Sequence, residues 1–202
     1  MKTMKSILPT TVLMILLMTV ICGVFYPLVV TGIAQIFFKH KANGSIIEVN
    51  NVKYGSELLA QEFTGDEYLW GRVMLPNVKT FTDEAGNPLY YAGPSNLTPA
   101  SEEYRALIAE RVAFIEASHS QMGKGKVPVE LVTVSGSGLD PHISVNAALY
   151  QAERIAQERN MKIEEVEAII EKYTTPKLFG ILGEKVVNVL QVNLELDGIL
   201  KA

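Results

Sequence analysis

Apolar positions run without a single charged side chain from Ser6 to Phe38 and then give way to shorter amphipathic stretches. A bilayer's hydrocarbon core takes roughly 20 apolar helical residues. The run therefore predicts one membrane-spanning helix, with length to spare for tilt. Lys2, Lys5, Lys39 and Lys41 bracket it. A secretory signal has a shorter apolar stretch, roughly 7–15 residues, closed by a small-x-small cleavage site. Neither feature is present, so the helix reads as a retained anchor. The expected division is residues 1–41 for the anchor with its charged flanks and 42–202 for a single soluble domain.

Past the anchor the pattern mixes helix and strand. Ser45–Val49 and Val52–Tyr54 flank Asn50-Asn51 and predict two short strands joined by a tight turn. Gly55–Phe63 follows, then a stretch from Thr64 to Pro99 with Gly, Pro, Asn and Asp at turn spacing. Tyr104, Leu107, Ile108, Val112 and Ile115 recur at helical spacing, so Pro99–Ser118 is predicted helical, with Thr98 as N-cap and Pro99 in first position. Val127–Val134 is β-branched and predicts a buried strand. A helix from an N-cap at Ser144 to Arg159 would turn Val145, Ala148, Ala152, Ile155 and Ala156 inward. Another, Ile163–Tyr173, would bury Ile163, Val166, Ile169, Ile170 and Tyr173. Lys185–Leu196 stays open: Leu190, Val192, Leu194 and Leu196 alternate as in a strand, yet Val189, Leu190 and Leu194 also suit a helix. The fold class is α+β, one transmembrane helix followed by a mixed α/β domain.

With 48% apolar and 20% charged residues among 202, the chain is not a disordered protein. The four bracketing lysines leave 14 of the 18 basic residues against 22 acidic ones, so the domain carries −8 of an overall −4 charge. With no Lys/Arg cluster, nucleic acid is not an expected partner. Cys22 is the single cysteine, which excludes a disulfide framework and a cysteine-based zinc site. His40, His119 and His142 are too widely spaced for a metal motif, and no cofactor of the chain's own is expected. Basic residues nearly balance across the anchor. The α-amino group, and the readiness of long domains to cross, favour a cytoplasmic N-terminus. The expectation is a single-pass protein of the cell (inner) membrane, in contact with lipid, its C-terminal domain extracytoplasmic.

Two patterns carry candidate chemistry. Thr19, Gly23, Pro27 and Thr31, with Gln35 beyond, recur every four residues of the anchor. Small and weakly polar residues let membrane helices approach closely, so this is a candidate partner-binding face. Pro27 has no N–H for the Gly23 carbonyl and should kink the helix. The second pattern is a loop after the strand expected over Val127–Val134: Ser135, Gly136, Ser137, Gly138, Asp140 and His142, leading to a helix N-terminus. Unpaired amides and hydroxyls there would suit an anion or a carboxylate of another chain. Glycines, caps and Pro141 would equally make a purely structural turn. Neither the P-loop nor the Gly-x-Ser-x-Gly elbow is present. A membrane-tethered serine hydrolase using Ser137 or Ser135 with His142 and Asp140, and a tethered solute- or peptide-binding module, remain alternatives.

Several stretches together resemble one family. They are VFYPLVVTGIAQ (Val24–Gln35), ANGSII (Ala42–Ile47), GSELLAQEF (Gly55–Phe63), YLWGR (Tyr68–Arg72), Ser95-Asn96-Leu97, VPVELVTVSGSGLDPHIS (Val127–Ser144) and LGEKVVNVLQVNLELD (Leu182–Asp197). In this order, behind one N-terminal anchor, they are similar to KdpC, the single-span subunit of the high-affinity potassium pump. Thr98-Pro99 stands where the family usually has Gly-Pro, and Val134 where it usually has Ala. The resemblance implies an accessory, non-catalytic subunit of a P-type ATPase complex. Its partners would be a potassium-channel-like subunit, the P-type ATPase subunit and a small membrane subunit. It also implies support of assembly and a catalytic chaperone role that raises ATP affinity of the ATPase subunit, where ATP and Mg are expected to sit. The Ser135–Asp140 loop has been likened to an ABC-type nucleotide signature. This chain has neither a Walker lysine nor an Asp-Lys-Thr-Gly-Thr sequence, so any effect on ATP affinity is expected to be allosteric.

Overall fold

In the computed structural model the described residues are 2–75, 82–87, 89, 93–119 and 126–200, with side chains from residue 7 onward. Residues 76–81, 88 and 90–92 of the turn-rich stretch expected over 64–99 lie outside them, as do the side chains of Lys2 and Lys5. The chain divides into two compact units, Met1–Ile46 and Ile47–Ala202.

The first unit is helical because its residues are apolar on every side. α1 (Lys2–Val20) continues through a π turn (Ile21–Phe25) into α2 (Tyr26–Phe37), and a four-residue helix α3 (Lys39–Ala42) follows. The stretch Ile7–Phe37 is long and apolar enough to cross a membrane, and none of its described residues is buried. Immediately before Pro27, where a kink is expected, the helix holds a π turn in which the Tyr26 N–H donates to the Ile21 carbonyl. A wide turn is a common accommodation when a proline removes a ladder bond. Pro9 lies within α1 as well.

The second unit opens with a hairpin, β1 (Ile46–Val49) and β2 (Val52–Ser56). Asn50 and Asn51 both have left-handed backbones (φ 52° and 64°), the two-residue turn expected of that pair. Helix α4 (Glu102–Ser118) starts later than expected. Ser101, not Thr98, is its N-cap, accepting from the Tyr104 N–H at 3.2 Å. Pro99 instead sits at the second position of a turn closed by Ser101 N–H to the Thr98 carbonyl, where its fixed φ fits equally well.

The strand expected over Val127–Val134 is not formed. Pro128 cannot donate to a ladder, Val129–Leu131 winds into a 3₁₀ turn, and only Val134 makes a bridge, parallel to Val73. The chain then enters β3 (His142–Ser144), α5 (Val145–Leu149) and α6 (Ala152–Arg159). One helix was expected here. It is interrupted because the Gln151 N–H bonds the Ala148 carbonyl while the Gln151 side-chain amide takes the Ala147 carbonyl at 3.1 Å. Asn160, left-handed at φ 52°, ends α6. α7 (Ile163–Lys172), β4 (Thr174–Thr175), β5 (Val186–Asn188) and α8 (Val189–Leu196) complete the unit. The ambiguous 185–196 stretch is both strand and helix: the Asn188 side chain caps α8 by accepting from the Gln191 N–H at 3.0 Å.

β5 is the middle of an antiparallel sheet ordered β3–β5–β4, with Ile143 opposite Val187 and Thr174 also opposite Val187. Helices α5 to α8 pack around it. The core is Leu69, Ile143, Ile155, Val166, Ile170, Val187 and Val192, all essentially inaccessible. Of the positions expected inward on α7, Val166 and Ile170 are buried, while Ile163 is exposed. Between β4 and β5, Leu178 and Leu182 exchange backbone hydrogen bonds of 2.8 and 3.0 Å. Phe179 at the tip of that turn has φ 53° and is 85% exposed, and Leu178, Ile181 and Leu182 are exposed beside it.

Candidate functional site

The segment 68–72 has no strand partner, yet Leu69 is wholly buried, so its peptide groups must find acceptors and donors elsewhere. Two side-chain amides supply them. Asn193 of α8 accepts from the Leu69 N–H at 2.8 Å and donates to the Leu69 carbonyl at 2.9 Å. Gln151 accepts from the Trp70 N–H at 2.9 Å and donates to the Trp70 carbonyl at 3.0 Å. Each amide acts as a neighbouring strand would. Two arginines of α6 hold the preceding residues. Arg154 donates to the carbonyls of Asp66 and Tyr68 and to Gln151, and Arg159 donates to the carbonyls of Glu67 and Leu196 and to Asp197.

Trp70, the single tryptophan, is enclosed by this frame. The Arg154 guanidinium lies 3.8 Å over its ring, Phe114 stacks at 5.6 Å, and His119 meets it edge-on. Burial lowers the Arg154 pKa to about 10, so it remains charged at neutral pH. Its Nε donates to His119 Nε2 at 3.1 Å, which makes Nδ1 the protonated nitrogen, bonded to the Ile115 carbonyl at 2.7 Å. Burial, and then the Arg154 charge, hold the His119 pKa below its ordinary value.

The 135–142 loop bonds partly to itself and partly to distant backbone, its Leu139 carbonyl accepting from the Ala60 N–H at 3.0 Å and its Pro141 carbonyl from the Val189 N–H at 3.1 Å. Ser137 Oγ accepts from the Leu139 N–H and lies 3.3 Å from Ser135 Oγ, the Gly138 N–H reaches the Ser135 carbonyl, and Asp140 accepts from the His142 N–H at 3.0 Å. Gly138 has φ 74°, and a Cβ there would stand 2.4 Å from the Gly93 carbonyl oxygen, so only glycine fits. Gly136 and Ser137 face solvent, whereas Ser135 is buried. At the start of α5 the Glu130 carboxylate accepts from the Ser144 N–H at 3.0 Å and from its hydroxyl at 2.6 Å. An internal carboxylate thus stands at the helix end where an outside anion would go. The His142 ring lies near Asp140 (3.8 Å) and Asn188 (3.5 Å). Among the described residues no serine hydroxyl is bonded to it, so the nucleophile–base pair of a hydrolase is not assembled. Nor does any cluster of three His, Cys, Asp or Glu side chains among them suit a metal ion.

On the membrane helix, Thr19 lies before the π turn, Gly23 within it, and Pro27 and Thr31 after it. A repeat of four drifts round an α-helix of 3.6 residues per turn, and the wider turn takes up part of that drift. A Cβ added at Gly23 would find only the Thr19 Cγ2, 3.9 Å away. Sequence reasoning missed Gln151, Asn193, Arg154 and Arg159. The signal available for the first two was an amide on the inward stripe of a helix.

A family model, "KdpC: K+-transporting ATPase, c chain", matches residues 8–198. The chain belongs to the KdpC family. It is 56% identical over 201 residues to the potassium-transporting ATPase KdpC subunit of Clostridium botulinum (strain Eklund 17B), covering all of both chains. It is 56% identical to the KdpC subunit of Clostridium perfringens, over 97% of this chain and 99% of the relative. To that of Methylococcus capsulatus it is 43% identical, over 93% and 95%. KdpC membership makes the chain a subunit of a K+-transporting ATPase, and its apolar N-terminal helix agrees with membrane anchoring.

Proposed function

We propose that this KdpC subunit acts by holding its pump together, and that it raises the ATP affinity of the ATPase subunit as a catalytic chaperone without binding ATP itself. The N-terminus lies in the cytoplasm and the domain outside it. Thr19, Gly23, Pro27 and Thr31 face helices of the pump's membrane subunits: the channel-like subunit, the ATPase subunit and the small membrane subunit. ATP and Mg stay with the ATPase subunit. The coupling is then allosteric, and it requires contacts that differ between two pump states.

The observation supporting this reading is that no residue of Ile7–Phe37 is buried within its own chain. Nothing in that chain demands glycine at position 23, where a side chain would meet one methyl group at van der Waals distance. A small residue that its own fold does not require is what a close helix–helix contact would require. On the soluble unit, the exposed 178–182 turn offers a second apolar contact of the kind that marks interaction surfaces.

The test is Gly23→Leu in the intact complex. Co-purification of the other subunits should fall severalfold while Trp70 emission stays native. Full co-purification would remove the helix-face reading. The ATP concentration giving half-maximal turnover should rise when the subunit is lost, with ATP binding to the subunit alone remaining undetectable.

A further inference from the structure

Four arginines of the soluble unit are at least partly buried, and they divide into two pairs. Every guanidinium nitrogen of Arg154 and Arg159 has a close acceptor. Those of Arg72 and Arg111 do not all have one. Among the described residues Arg111 makes one hydrogen bond, to the Val132 carbonyl at 2.9 Å. Arg72 reaches Thr133 Oγ1 and the Val134 carbonyl only at 3.4 Å and Asp140 only at 3.7 Å, and its buried Nε has no partner among the described residues. Both guanidiniums converge on the short segment 132–134, and both line one cavity of about 250 Å³ whose walls include Phe63, Trp70, Phe114 and Leu131. Burial lowers the Arg111 pKa, the mark of a cation partly stripped of water.

We infer that this cavity is a binding site for a small monocarboxylate carrying an apolar body. A guanidinium presents forked donors that match a carboxylate, and Arg72 and Arg111 have donors to spare. The aromatic and aliphatic walls suit a ring or branched chain. The volume lies just under the range for drug-sized ligands, so the occupant is fragment-sized. Charge selects a monoanion: Glu62 at the wall and Asp140 beside Arg72 offset part of the two positive charges, which leaves little to favour a dianionic phosphate. Sequence reading placed the candidate anion contact in the 135–142 loop. The cavity lies across Arg72 from it.

Trp70 lines the cavity and is the only tryptophan, so its emission reports occupancy directly. Full-length protein in non-ionic detergent is titrated with sodium benzoate, with benzamide and phenyl phosphate in parallel. A saturable change with benzoate, absent with benzamide, is expected. Binding should weaken about tenfold or more in Arg111→Gln, partly recover in Arg111→Lys, and be unaffected by Arg105→Gln, an exposed arginine elsewhere on α4. A native emission spectrum of each variant before titration establishes that it is folded. Equal responses to benzoate and benzamide, a response that never saturates, tighter binding of phenyl phosphate, or undiminished benzoate binding in a folded Arg111→Gln would each overturn the inference.

Discussion

Residues 68–72 and 135–142 are both irregular, and they are stabilised in opposite ways. At its two central residues the first borrows its backbone partners from distant side chains: Asn193 holds Leu69, and Gln151 holds Trp70. The second supplies many of its own bonds through Ser137, Ser135 and Asp140, and is tied from outside by backbone, through the Ala60 N–H on the Leu139 carbonyl and the Val189 N–H on the Pro141 carbonyl, and by the close approach of Gly138 to Gly93. A segment that depends on remote side chains is as stable as the domain itself. A segment that satisfies much of its hydrogen bonding internally can change locally at a smaller cost to the rest.

Gln151→Leu would break this contrast most sharply. It replaces the amide with an apolar side chain of similar size, strands the Trp70 N–H and carbonyl at a buried site, and takes one acceptor from an Arg154 N–H. Each stranded group costs roughly 1–3 kcal/mol, so a total of about 3–5 kcal/mol is expected. Urea unfolding of the full chain in detergent, followed by Trp70 emission, measures it, and a loss below about 1 kcal/mol would show that the borrowed bonds matter little.

That substitution also marks what could be read in advance. Asn50-Asn51 announced its hairpin, and α7 followed its apolar period, because both depend on neighbours in sequence. The frame around Trp70 did not announce itself. Gln151 and Asn193 are inward amides, and their partners lie 81 and 124 residues away. Asn193 was hidden further because 185–196 alternates like a strand, which would put it opposite Val192 and Leu194, whereas the helix buries all three. Val127–Val134 misled through its β-branched composition, which Pro128 and the 3₁₀ turn override. The family was legible from its ordered motifs. The cavity was not, since Arg72 and Arg111 meet only through the tertiary fold.

Gly138→Ala probes the other side of the comparison. It places a Cβ against the Gly93 carbonyl at a left-handed φ, for an expected loss of roughly 2–3 kcal/mol in the same urea assay. Were the loop free to shift as a unit, the loss would fall below 1 kcal/mol.

The smallest effect concerns pH. Burial, then Arg154, hold the His119 pKa down in the folded chain, so the unfolded chain, near 6.5, takes up the proton first. Stability from this group is complete above about pH 6.5 and declines as pH falls from there toward the lowered folded value. A urea midpoint that drops between pH 7 and 5.5, and drops less in His119→Asn, is the expected result. Identical slopes in the two proteins would assign the effect elsewhere.

Arg154 shows why this frame can tolerate so little chemical variety. Its acceptors are His119 Nε2, the Gln151 amide oxygen and two carbonyls, none of them charged, and they surround a flat group that also lies over an indole face. A lysine would keep the positive charge but concentrate it at one compact, strongly hydrated nitrogen with three donors and no plane to stack. Shape rather than charge is what reserves that position for arginine.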